Sequence, residues 1–127
     1  FKEESVNILE WAELMYSMFL NNVDRLNELF RKYSNSTIYW WGAGLASVLY
    51  LNQVKREVIN RVNLIIVDGD KNKWQKFIPG LGIEVQPYNI IKNKAVEIMV
   101  IGSCFHNEIE VTMQKNGTSA NYIEVFE

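Results

Sequence analysis

The chain has 127 residues, 48% of them apolar and 22% charged, with a formal net charge of −2. This length and balance fit one soluble globular domain that buries about two-thirds of its unfolded surface. The near-neutral charge argues against a broad phosphate-neutralising surface, so no nucleic-acid partner is expected. The single cysteine, Cys104, excludes a disulfide framework and a paired-cysteine zinc site.

No apolar stretch reaches the ~18 residues of a membrane span. The opening residues Phe1-Lys2-Glu3-Glu4 are charged and do not read as a signal peptide. A cytoplasmic location without membrane contact is therefore expected. The chain starts at Phe1 and not at Met, so a longer protein with a neighbouring catalytic domain is also expected.

Residues 3–32 predict a helix. Val6, Leu9, Leu14, Met18, Phe19, Val23, Leu26, Leu29 and Phe30 approximate a spacing of three to four. Ser5 is the expected early cap. Asn21-Asn22 is a candidate break, with Asp24 opening a second helix. Trp11, Tyr16 and Met18 make the segment richer in large apolar groups than a solvated helix needs. It either covers one face of a sheet or packs on a neighbouring domain or on a second copy, giving a homodimer. Tyr33-Ser34-Asn35-Ser36-Thr37 is a polar linker.

Ile38 to Trp41 predicts the first strand, with one of Trp40 and Trp41 facing each side of the sheet. Gly42-Ala43-Gly44 follows, and a helix runs from about Leu45 to Val54. Leu45, Val48, Leu49 and Leu51 are expected to face the sheet. Strand, glycine turn and helix in this order read as the first βα unit of a Rossmann-type domain. Gly42 permits the tight turn, and Gly44 lets a phosphate approach the backbone. The amides that open the helix, from Leu45 on, point at an anion in such a unit. The third glycine of the dinucleotide fingerprint is Ser47 here.

Val62 to Val67 is a β-branched run suited to a strand covered on both faces, and it ends at Asp68. An acid at that place accepts hydrogen bonds from ribose hydroxyls, although Asp68 lies somewhat beyond the usual ~20 residues after the glycines. Lys71 to Leu81 is a loop with a Pro79-Gly80 turn. In it, Lys71, Lys73 and Lys76 could hold phosphates and Trp74 could stack a base, or the loop is simply solvated. A short strand at Ile83–Gln86, a short helix near Tyr88–Ile91 and a buried strand at Val96–Ile101 follow. Gly102-Ser103 leads to a helix over His106–Lys115, stopped by Asn116-Gly117. Tyr122 to Phe126 reads as a last, edge strand.

Alternating strands and helices imply an α/β fold. It is a Rossmann-like, mostly parallel sheet of about five strands with helices on both faces and an N-terminal helical extension. The extension is residues 1–35 and the nucleotide-binding domain residues 36–127. The loops after Trp41, Val67 and Ile101 then share the carboxyl edge, where open α/β sheets bind ligands.

An ordered series of segments resembles a known family. It runs Tyr39-Trp40-Trp41-Gly42-Ala43-Gly44, Ile65-Ile66-Val67-Asp68-Gly69-Asp70, Phe77-Ile78-Pro79-Gly80, Ile83-Glu84-Val85-Gln86-Pro87 and Glu108-Ile109. Over about residues 36–115 it is similar to the Rossmann-like C-terminal domain of sugar C-methyltransferases and related nucleotide-sugar proteins. In that family the methyl donor binds another domain, and this domain helps form the sugar-nucleotide site. The resemblance implies a nucleotide or nucleotide-sugar binding domain of a sugar-modifying enzyme, with Gly42, Gly44 and Asp68 at the nucleotide-facing edge.

The candidate binding residues are Gly42, Gly44, Leu45, Asp68, Ser103 and His106. The candidate cofactors are NAD(P), a nucleotide sugar and S-adenosylmethionine. No catalytic residue is assigned. Cys104 and His106 are two apart, with no group to orient them as nucleophile and base. One His and one Cys are poor material for zinc, Asp68 and Asp70 make a thin case for a hard cation, and no metal is expected. Two other readings stand. An NAD(P)-dependent oxidoreductase or epimerase would need a Tyr-x-x-x-Lys or comparable pair in the right context. A non-catalytic assembly module would dock through the aromatic N-terminal helix.

Overall fold

The computed structural model describes residues 7–125. The elements run α1 (Ile8–Lys32), β1 (Thr37–Trp41), α2 (Leu45–Gln53), α3 (Arg56–Ile59), β2 (Asn63–Asp68), β3 (Val85–Pro87), β4 (Ala95–Ile101), α4 (His106–Lys115) and β5 (Ser119–Glu124). The five strands form one sheet in the order β3-β2-β1-β4-β5, and every pairing is parallel. This is the expected Rossmann-like α/β architecture, with β1 at its centre. Trp40 pairs with Ile66 on one side and Val100 on the other.

The pleat sends adjacent side chains to opposite faces. Ile38, Trp40, Leu64, Ile66, Val85, Ile98 and Val100 pack with Val23, Leu26, Phe30, Tyr50 and Leu51, so α1, α2 and α3 cover that face. Trp41, Val67, Met99 and Ile101 pack with Ile91, Ile109 and Met113, beneath α4 and a 3₁₀ turn at Tyr88–Ile91. Each of the two tryptophans thus anchors its own core.

Asn7 caps α1, its side-chain oxygen accepting from the amides of Leu9 and Glu10. Ser5, the expected cap, lies outside the described residues. The expected break at Asn21-Asn22 does not occur, and α1 is continuous. Asn22 instead donates its amide to the Tyr50 hydroxyl (3.1 Å), while Phe19 packs on the Tyr50 ring at 4.6 Å. Both contacts hold that turn on α2, and tertiary packing outweighs the weak helix preference of asparagine. The C-terminal half of α1 joins the core through Val23, Leu26 and Phe30. Its N-terminal half stands free of the domain, with Trp11 53% and Leu14 57% exposed.

The face of α2 also differs from expectation. Ser47, Tyr50 and Leu51 are buried, whereas Leu45 is 75% exposed and Leu49 is half exposed. The helix is apolar all round, so spacing alone does not fix its rotation. The close approach to β1 and β4 does, because it needs the small side chain of Ser47 on the sheet side.

Beyond α2, Asn52 donates to the Pro79 carbonyl and Arg56 to the Gly80 carbonyl, which ties the Pro-Gly loop to the helices. α4 has the expected bounds. It ends in paired bonds from the Gly117 amide to the Gln114 carbonyl and from the Thr118 amide to the Met113 carbonyl, with Gly117 at φ 76°.

Candidate functional site

The strand order reverses at β1. The connection after β1 leads to β2 on one side, and β4 enters on the other. Open α/β sheets bind ligands outside the carboxyl ends of the strands at such a switch point. A cleft of about 460 Å³ lies here, walled by Trp41, Gly42, Gly44, Leu45, Asp68, Lys73, Gly102, Ser103, Cys104 and Phe105 among others. Small-molecule sites have this size. Five of the six residues singled out from the sequence are therefore brought together: Gly42, Gly44, Leu45, Asp68 and Ser103.

The two glycines do different things. Gly42 has φ 118°, and a Cβ on it would sit 3.1 Å from the Gly102 carbonyl oxygen, so this glycine serves the turn. Gly44 is the N-cap of α2 with extended backbone and offers no capping side chain. A Cβ there would meet nothing within 4 Å. The helix thus opens toward the cleft with free space in front of it, which suits an anion.

Asp68 is buried at the end of β2. Its Oδ2 accepts from the Ala43 amide (2.8 Å) and its Oδ1 from the Asp70 amide (2.8 Å). The carboxylate thus holds the glycine turn and the loop after β2 in place, and each oxygen keeps a lone pair for a further donor. Lys73 lies 3.8 Å from Oδ2 and supplies a cation at the wall. Trp74 donates its indole N–H to the Asp68 carbonyl (2.7 Å), so that ring is anchored to the strand end.

Below the glycine turn the fold closes tightly. The Trp40 indole donates to Ser47 Oγ (3.0 Å), which in turn donates to the Gly102 carbonyl (3.0 Å). A Cβ on Gly102 would collide with the Trp40 indole nitrogen and the Ser47 hydroxyl. The serine in the third-glycine position therefore ties α2 to both central strands. Ser103 uses its hydroxyl locally, accepting from the Phe105 amide (3.2 Å). Cys104 is exposed at the cleft.

His106 stands apart from the others. Its Nδ1 turns toward α4 and β5, 3.2 Å from Glu124 Oε1 and 3.9 Å from Glu110 Oε2. The contact with Glu124 is short but is not a hydrogen bond, and Nδ1 is a buried atom without a hydrogen-bond partner. Burial, a hydrogen bond with Glu124 and the charge of Glu124 raise the Glu110 carboxyl above its ordinary value, against a lowering by His106. Burial and the charge of Glu110 raise the Tyr122 phenol, whose hydroxyl is likewise buried and unpaired. Glu110 has a sequence signal, four residues from His106 on one helix face. Glu124 has none, because the fold alone brings β5 beside α4.

Tyr88 and Lys92 carry the Tyr-x-x-x-Lys spacing, but on and just after a 3₁₀ turn, where residues four apart do not share a face. Tyr88 packs on Trp41 with ring centroids 5.6 Å apart. Among the described residues no helix is long and apolar enough to cross a membrane. Compared with family models, with curated proteins and with solved structures, the chain matches none.

Proposed function

We propose that this chain is a nucleotide or nucleotide-sugar binding domain of a sugar-modifying enzyme, similar to the C-terminal domain of a sugar C-methyltransferase. The reading is carried by the switch-point cleft, where the uncapped first turn of α2 opens behind Gly44 into free space. A diphosphate would lie on the amides from Leu45 on, with Lys73 offsetting its charge. Asp68 would give its remaining lone pairs to ribose hydroxyls. The domain would bind and orient the substrate, and the methyl donor would come from a neighbouring domain of the same protein.

The test is thermal unfolding of the chain with NAD, NADP, S-adenosylmethionine and nucleotide diphosphates with and without sugars. A ligand at 100 times its dissociation constant adds about 2.7 kcal/mol, roughly 10 °C in Tm for a domain of this size. Leu45→Glu is the matching variant, because Leu45 is exposed and a glutamate in the first helical turn does not destabilise the helix. It sets a negative charge where the phosphate would lie. A shift with a nucleotide diphosphate that Leu45→Glu removes supports the reading. A shift with S-adenosylmethionine alone, or with none of the panel, overturns it.

A second reading has its own observation. Ile8, Leu9, Trp11, Leu14, Met15, Tyr16, Met18 and Leu20 of α1 are all exposed. Such a run on a soluble chain marks a docking surface, and a second copy packing helix against helix would cover it.

A further inference from the structure

We propose that His106, Glu110 and Glu124 bind one divalent transition-metal ion of the zinc class between α4 and β5. The sequence led to no such expectation, and the proposal does not rest on the nucleotide reading. His106 and Glu110 project from one face of α4, four residues apart. Glu124 is held opposite them by the β5 ladder, where it pairs with Ile101 of β4. One ligand atom from each of the three lies within 4.8 Å of the other two.

The spacing of His106 and Glu124 is that of a coordination sphere. Two ligands about 2.0–2.1 Å from a tetrahedral zinc ion lie about 3.3 Å apart. Nδ1 of His106 and Oε1 of Glu124 are 3.2 Å apart. The Glu110 oxygen, at 3.9 Å from Nδ1, needs a shift of about half an ångström, within reach of a side-chain rotation.

An independent observation concerns hydrogen bonding. Nδ1 is buried and faces a carboxylate oxygen without a hydrogen bond between them. In the tautomer that leaves a lone pair on Nδ1, that lone pair and the carboxylate are both acceptors, and a cation between them satisfies both. The Tyr122 hydroxyl is a second buried, unpaired polar atom close enough to feel the charge of Glu110.

The donor set selects the metal. One imidazole and two carboxylates suit zinc and its neighbours, whereas magnesium and calcium prefer oxygen alone. Two carboxylates balance the dipositive charge. Three protein ligands leave a fourth position for water. The three side chains are 23–36% exposed, so the ion can enter from solvent.

The experiment is an equilibrium titration of the 127-residue chain with Zn²⁺, and with Co²⁺ read by its visible absorption. One ion per chain is expected. Glu110→Gln, Glu124→Gln and His106→Gln are each expected to weaken binding by at least about tenfold. Circular dichroism identifies any variant that fails to fold, and the folded ones carry the result. Glu124→Gln keeps shape and backbone pairing on an edge strand, so it is the decisive variant. Cys104→Ser is expected to bind as the parent chain does. No binding up to about millimolar metal, binding that Glu124→Gln leaves unchanged, or binding lost in Cys104→Ser would overturn the proposal.

Discussion

The hydroxyl of Ser47 accepts the indole N–H of Trp40 at 3.0 Å and passes its own hydrogen to the Gly102 carbonyl. One small side chain therefore joins the first helix of the βα unit to the carboxyl ends of β1 and β4. In a fingerprint with glycine at this position that joint is only close packing. Here it is a buried hydrogen-bond relay directly under the cleft.

Ser47→Ala leaves the Trp40 indole with a buried, unpaired donor. The expected cost is about 2 kcal/mol, on the order of 8 °C in Tm. Gly102→Ala drives a methyl group into the same two side chains and should cost about 3 kcal/mol. Thermal denaturation followed by circular dichroism measures both. Parent-like stability of both variants would show that the relay does not hold the turn.

The two glycines of the turn should separate stability from binding. Gly42→Ala meets a positive φ and a near carbonyl, and about 1–3 kcal/mol of destabilisation is expected. Gly44→Ala meets open space and should cost no more than about 1 kcal/mol, the ordinary loss when alanine replaces glycine at an N-cap. If phosphate lies there, the added methyl group should still weaken nucleotide binding. Equal effects of Gly44→Ala and the parent chain on every ligand of the panel would count against a phosphate at α2.

The pair Glu110 and Glu124 gives a pH dependence. Burial and the neighbouring carboxylate raise Glu110 above its ordinary 4.5, with His106 on α4 opposing and Tyr122 and Glu124 facing it from β5. The folded state then holds this proton more firmly than the unfolded chain. Its contribution is present in acid and is lost as pH rises above about 4.5 through the folded value. With metal chelated, Glu110→Gln should gain Tm relative to the parent chain as pH climbs from 4.5 toward neutrality. A difference that is flat with pH would refute the assignment.

Exposed apolar groups on the first half of α1 predict self-association. Trp11→Glu combined with Leu14→Glu should leave the stability of the monomer within about 0.5 kcal/mol of the parent chain's, since neither side chain is in the core. The same pair should abolish any concentration-dependent mass seen by light scattering. A parent chain that stays monomeric at every concentration would rule out a homodimer through α1.

Most of the architecture is readable along the chain. The glycine turn, the β-branched run before Asp68 and the Asn116-Gly117 stop are local signals, and the structure has β1, β2 and the end of α4 where they point. Rotation and continuity are not local. Leu45 and Leu49 look like core residues until Ser47 is required against Gly102, and Asn21-Asn22 looks like a break until Tyr50 accepts from Asn22. The cleft follows from topology, so five of its residues were legible. His106 is not among them: its imidazole lies beside Glu124 of β5, a neighbour that no spacing argument reaches.

β1 is the central strand, yet it is made before all the others. Its neighbours arrive only with Ile65 and Met99, and the second of these completes the pairing of Tyr39. During synthesis this aromatic strand, with Trp40 and Trp41 side by side, therefore waits with one unprotected edge until β4 has left the ribosome. A nascent chain halted before residue 95 would be the form most in need of a chaperone.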